Sequence, residues 1–161
     1  MDEGTLYPGS RRKKATLQYK KGRLSISDVL ATIKADHDNV KSLFGKYKAA
    51  SGSEKTTLAM TLITEMKAHS AAEDASIYAD YSKFGLSAAS NKQDHAEINK
   101  MIADASAACS NEAVVTKAVT TFIAHSDEEE SQQWPAIKAK LSSSESATLA
   151  SQFMNAKKSV A

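Results

Sequence analysis

The sequence predicts an all-α protein: an up-down-up-down four-helix bundle with a basic N-terminal arm and a short fifth helix at the C-terminus. Three observations carry this. Four segments repeat apolar residues at three- and four-residue steps, the period of one helix face. No apolar–polar alternation long enough for a strand occurs. The breaks between the segments are short and rich in Ser, Gly and Asn, which favours antiparallel neighbours. At 161 residues, 42% apolar and 25% charged, the chain suffices for one domain with a true core.

Residues 1–24 read as a separate arm. Between Gly4 and Ser27 there is no acid, while Arg11, Arg12, Lys13, Lys14, Lys20, Lys21 and Arg23 are basic and Pro8, Gly9 and Gly22 interrupt any helix. A solvated arm lying along the domain is the first reading, and a nucleic-acid or targeting role the alternative. The net charge of only +2 does not mark a nucleic-acid binder. Asp2 and Glu3 argue against an acid-poor transit peptide. The domain then runs over 25–161.

Helix one is expected to open at Ser25 as N-cap, with Asp28 as its capping-box partner and Leu24 and Val29 as a hydrophobic staple. Val29, Ile33, Val40, Leu43, Phe44 and Tyr47 form its stripe, and His37 falls on it. Ser51-Gly52-Ser53 separates it from helix two, where Leu58, Leu62 and Met66 lead to His69 and Glu73 and the helix is expected to run to Phe84-Gly85. Helix three carries His95, Ile98, Ile102 and Ala105. After the cap at Ser110-Asn111-Glu112, helix four carries Val115, Ala118 and Phe122 to His125 and Glu129, until Pro135 ends or kinks it. Ser142-Ser143-Ser144-Glu145 caps a last, shorter helix whose Leu149, Phe153 and Met154 dock on the bundle. Cys109, the single cysteine, reads as a small buried hydrophobe and fits a reducing, cytoplasmic setting. No stretch approaches the roughly 18 apolar residues of a membrane span.

The informative pattern is an internal echo that uses all four histidines. His69-Ser70-Ala71-Ala72-Glu73-Asp74 matches His125-Ser126-Asp127-Glu128-Glu129-Glu130, and Lys34-Ala35-Asp36-His37 matches Lys92-Gln93-Asp94-His95. A histidine and a glutamate four residues apart differ by about 40° around the helix and about 6 Å along it, so one metal site can use both. Four imidazoles and two carboxylates buried without partners would each cost several kcal/mol, and a metal accepts all their lone pairs. Imidazole and carboxylate without thiolate suit iron, manganese or zinc. Six ligands exceed one tetrahedral zinc but suit two ions bridged by Glu73 and Glu129. Ferritin-like bundles rely on Glu-x-x-His, which is absent here.

These motifs, D-H-x-x-V at 36–40, H-x-x-x-E-D at 69–74, D-H-x-x-I at 94–98 and H-x-x-x-E-E at 125–130 followed by Trp134-Pro135, resemble the hemerythrin-like (HHE cation-binding) domain family over about residues 25 to 141. The resemblance implies the hemerythrin bundle and two non-haem iron ions bridged by carboxylates and an oxygen species. It places His37 and His69 towards one iron and His95 and His125 towards the other, with manganese or zinc less favoured than iron. The oxygen-carrying members have a second histidine one turn after the first on helix three, where this chain has Asn99. That points away from simple oxygen carriage and leaves dioxygen, peroxide or nitric oxide as the small ligand.

The neighbouring residues carry weaker expectations. Glu65 lies one turn before His69 and is assigned to an ion pair before a metal role. Asp36 and Asp94 point about 100° from their histidines and read as outer or solvated groups. In the run 127–130 only Glu129 is in phase with His125, and the others read as a wet face. Tyr78 and Trp134, nine residues after a histidine, should pack on the flank. Asn99, one turn after His95, is expected to face the site. Three functions follow: a di-iron module that binds dioxygen or a related ligand for sensing, storage or detoxification; a peroxide-decomposing enzyme; or a metal-independent interaction bundle.

Overall fold

A computed structural model of the chain describes residues 28–160, and among these there are six α-helices and no strand. The basic arm, Leu24 and Ser25 lie outside the described residues. Helix α1 spans Val29–Ala49, and its N-cap is Asp28, whose Oδ1 accepts from the amides of Leu30 at 2.9 Å and Ala31 at 3.4 Å. Asp28 is therefore the cap itself, not a residue one turn into a helix begun at Ser25. A carboxylate there satisfies amides that have no partner in the first turn.

Helix α2 covers Gly52–Asp74 and stops ten residues before the expected end. Ser76 interrupts the α-helical path at φ −130°, ψ −94°, and Ile77–Phe84 continue as a tighter 3-10 helix. Gly85 closes that segment in the left-handed region at φ +75°, a conformation that costs glycine little. Helices α3 (Ala89–Ala107) and α4 (Glu112–Glu128) follow, with Asn111 capping α4 through its side chain as expected.

Pro135 leaves its mark upstream. The backbone widens into a π-helical turn at Glu129–Gln133, in which the Trp134 amide reaches back five residues to the Glu129 carbonyl. Helix α5 (Trp134–Lys140) then resumes with Pro135 in its first turn, where the missing amide costs no bond. Helix α6 (Ser143–Val160) is not short: at 18 residues it exceeds α4. The Ser142 hydroxyl and Glu145 carboxylate cap its start reciprocally.

The helices pack as two hairpins, α1 on α2 and α3 on α4, which touch through α2–α3 and α1–α4, while α6 lies along α1 and α2. Asn91 meets Glu129 and the His95 ring meets that of His125, so α3 and α4 run antiparallel. Leu149 and Phe153 of α6 are buried as expected, whereas Met154 is exposed. Two apolar clusters result. One gathers Val40, Phe44, Leu62, Met66, Ile98 and Phe122, with Cys109 packed at its margin. The other gathers Ile33, Ile77, Tyr81, Trp134, Ile137 and Phe153. The histidines lie between them: His69 meets Phe122 of the first edge-on at 5.2 Å and Phe153 of the second at 5.5 Å.

Candidate metal centre

Each of α1 to α4 delivers one histidine inward, and all four are buried, His125 most exposed at 7%. Glu73 and Glu129 join them, each 1% exposed. The stripe periodicity explains this convergence, because each residue continues an apolar face that must be buried anyway.

The donors divide into two groups. His37 Nε2 and His69 Nε2 face each other at 3.1 Å, with Glu73 Oε1 3.2 Å from His69 Nε2 and Glu129 Oε2 3.8 Å from His37 Nε2. On the other side, His95 Nε2 lies 3.3 Å from Glu73 Oε2, and His125 Nε2 lies 3.3 Å from Glu129 Oε1. Each glutamate thus turns one oxygen to each histidine pair. Two sets of groups meet the geometric requirement for holding a metal ion, Glu73, His95, His125 and Glu129 in one and His37, His69 and Glu73 in the other.

The outward ring nitrogens are held by a closed ring of carboxylates. Asp36 of α1 lies 3.2 Å from His69 Nδ1 of α2, Asp74 of α2 3.2 Å from His95 Nδ1 of α3, and Asp94 of α3 3.2 Å from His125 Nδ1 of α4. Glu130, just past α4, completes the circuit at 2.8 Å from His37 Nδ1. Each helix thereby fixes the imidazole of the next. When each ring carries a single proton, that proton sits on Nδ1 and leaves the Nε2 lone pair pointing inward, the tautomer a metal ligand needs. Asp36 and Asp94 fill the outer role expected of them. Glu130 does not form a wet face: it follows Glu129 by one residue, as Asp74 follows Glu73, and likewise meets the histidine of a neighbouring helix.

Electrostatics follow from the same contacts. Burial opposes a charge on His69, but Glu73 and Asp36 outweigh it and push the imidazole up to about 10. Burial is likewise outweighed at His95, where Asp74 and Glu73 raise the value to about 9. Glu73 is held well below the usual carboxylate range, its burial outweighed by His69 and His95. His37 is pushed down by burial and by the neighbouring His69. Without a cation, then, the cluster stores protons where two carboxylates meet four imidazoles.

Two buried side-chain polar atoms are left over among the described residues, Ser70 Oγ and a carboxylate oxygen of the centre. Glu129 Oε2 has no hydrogen-bond partner among the described residues. A buried carboxylate oxygen left bare is costly, and this one is turned towards the His37–His69 side, where a cation would satisfy it. The donor set fits a metal.

Asn99 and Tyr78 depart from expectation. Asn99 is exposed and lines a surface groove with Ile63, Lys67 and Ile102. Because α3 runs antiparallel to α4, the site-facing residue on α3 lies one turn before His95, not after it. That residue is Asn91, whose Nδ2 donates to Glu129 Oε1 at 2.9 Å and to Gln133 Oε1 at 2.8 Å. Tyr78 is not on the flank. Its hydroxyl donates to Glu129 Oε1 and sits 3.1 Å from His95 Nε2, 3.2 Å from His125 Nε2 and 3.3 Å from Glu73 Oε2. Burial and the charges of Glu73 and Glu129 push that phenol above its ordinary range. Trp134 stacks on the His37 ring at 6.0 Å. Glu65 pairs with Lys157 of α6 at 3.1 Å, the ion-pair role expected of it, and Lys157 also holds Asp36 at 2.6 Å.

Comparison with protein-family models, curated proteins and solved structures returned no match. No helix among the described residues is long and apolar enough to cross a membrane.

Proposed function

We propose that this chain is a hemerythrin-like di-iron protein that binds dioxygen or a related small ligand such as peroxide or nitric oxide. In this reading α1 to α4 form the up-down-up-down bundle of that family and α6 braces the first hairpin. His37 and His69 hold one iron, His95 and His125 the other, and Glu73 and Glu129 bridge them. The observation that carries it is the division of both glutamates between the two histidine pairs, which one ion cannot exploit and two can. Donors of nitrogen and oxygen without thiolate suit iron. When bound, two irons supply reversible electron exchange with dioxygen or its reduction products. The chain's own residues hold the imidazoles in one tautomer and keep bulk water away from the donors. The cleft beside His125, between α3 and α4, is about 190 Å³.

The test is metal analysis after anaerobic loading with ferrous ion, read beside the optical spectrum on exposure to air. Two irons per chain and a new near-ultraviolet band on oxidation are expected. A single iron, or none retained through desalting, would refute the assignment.

A further inference from the structure

The two metal positions are not equivalent, and the inequality comes from a residue outside the repeated motifs. The Tyr78 hydroxyl stands against four polar atoms, all belonging to the His95–His125 half of the centre. Among the described residues it makes no hydrogen bond to His37 or His69.

Hydrogen bonding alone accounts poorly for this placement. A phenol has one proton, and Glu129 Oε1 takes it. The oxygen's lone pairs are then left facing Nε2 of His95, Nε2 of His125 and Oε2 of Glu73. Once the protons stored on the cluster are displaced, those nitrogens carry lone pairs too, because their Nδ1 atoms are held by Asp74 and Asp94. Electron-rich atoms crowded at 3.1–3.3 Å call for a cation among them. The spacing agrees: donors bonded to one ion at about 2.1 Å and set at right angles sit about 3 Å apart.

Resting on the two-metal reading above, we infer that Tyr78 is a fifth protein ligand, bonded through its phenolate oxygen to the metal held by His95 and His125. That position then has five protein donors and the His37–His69 position four, so an incoming small ligand is directed to the His37–His69 metal. On coordination the phenol proton leaves to solvent, as for any donor that must be deprotonated to bind. The fold holds the group firmly. The 3-10 segment that carries Tyr78 is anchored by buried Ile77 and Phe84, and by Tyr81, whose hydroxyl donates to Gln133 at 2.8 Å.

The full chain is loaded with iron, oxidised, and read by visible absorption and resonance Raman scattering. A phenolate on ferric iron gives a broad visible charge-transfer band that imidazole and carboxylate do not, with ring modes enhanced under it. The wild-type protein is expected to show this band, and Tyr78→Phe to lose it entirely while keeping both irons. Tyr81→Phe, which removes a neighbouring buried phenol outside the donor set, should keep it. Two irons with no phenolate band in the wild type would overturn the inference and leave the di-iron reading intact. So would a band that survives Tyr78→Phe. Failure to hold iron at all would overturn both.

Discussion

The proton inventory of the centre makes a prediction with a definite sign. His69 and His95 carry folded-state values of about 10 and about 9 against an ordinary 6.5. Both are raised, so the stability they contribute is fully present below pH 6.5 and is lost as pH climbs through 9 to 10. Shifts of this size amount to several kcal/mol in total, on the order of 1.4 kcal/mol per unit. Metal-free protein should therefore become less stable, by urea denaturation, between pH 6.5 and 10. Metal must displace the same protons. Near pH 7 ferrous ion should release at least about two protons per chain, and apparent affinity should rise about 100-fold per pH unit until the histidines titrate unaided. Calorimetry in buffers of differing ionisation enthalpy counts the protons directly. Release of less than one proton, or metal-free protein whose denaturation midpoint is flat or rising over this range, would refute the reasoning.

Three substitutions test other parts of the site. Asp94→Asn removes the charge that orients His125 and should weaken metal affinity about 10- to 100-fold with helical content unchanged, measured by competition with a chelator. Asn99→His should leave metal content and spectrum as in the wild type, because the side chain is exposed; an altered spectrum would place position 99 at the metals. Phe122→Ala should cost about 3–5 kcal/mol in denaturant unfolding, since it opens a cavity beneath His37 and His69. A loss under 1 kcal/mol would mean that the core collapses into the space.

The internal echo explains why so much of this site was legible. Periodicity alone puts His37, His69, His95 and His125 on buried faces, and the four-residue step carries Glu73 and Glu129 with their histidines. Even the outer carboxylates sit in the repeated words: Asp36 and Asp94 precede a histidine, while Asp74 and Glu130 follow a glutamate. Their partners were not legible, because each reaches across to the histidine of a neighbouring helix.

By itself the sequence determined the helical class, the inward faces and the six histidines and glutamates that meet in the core, since all of these depend on spacings within one helix. The tertiary structure decided the rest. Asn91 rather than Asn99 faces the centre because antiparallel packing matches a turn before His95 with a turn after His125. Glu130 reaches His37 because α1 packs beside α4, just as Asp74 at the end of α2 reaches His95 of the neighbouring α3. Tyr78 reaches the His95–His125 pair because α2 breaks after Asp74, so counting nine residues along a straight helix pointed it the wrong way. Helical phase is a local property that residue spacing encodes, whereas the relative level of two helices and the place where one breaks are set by how whole faces pack.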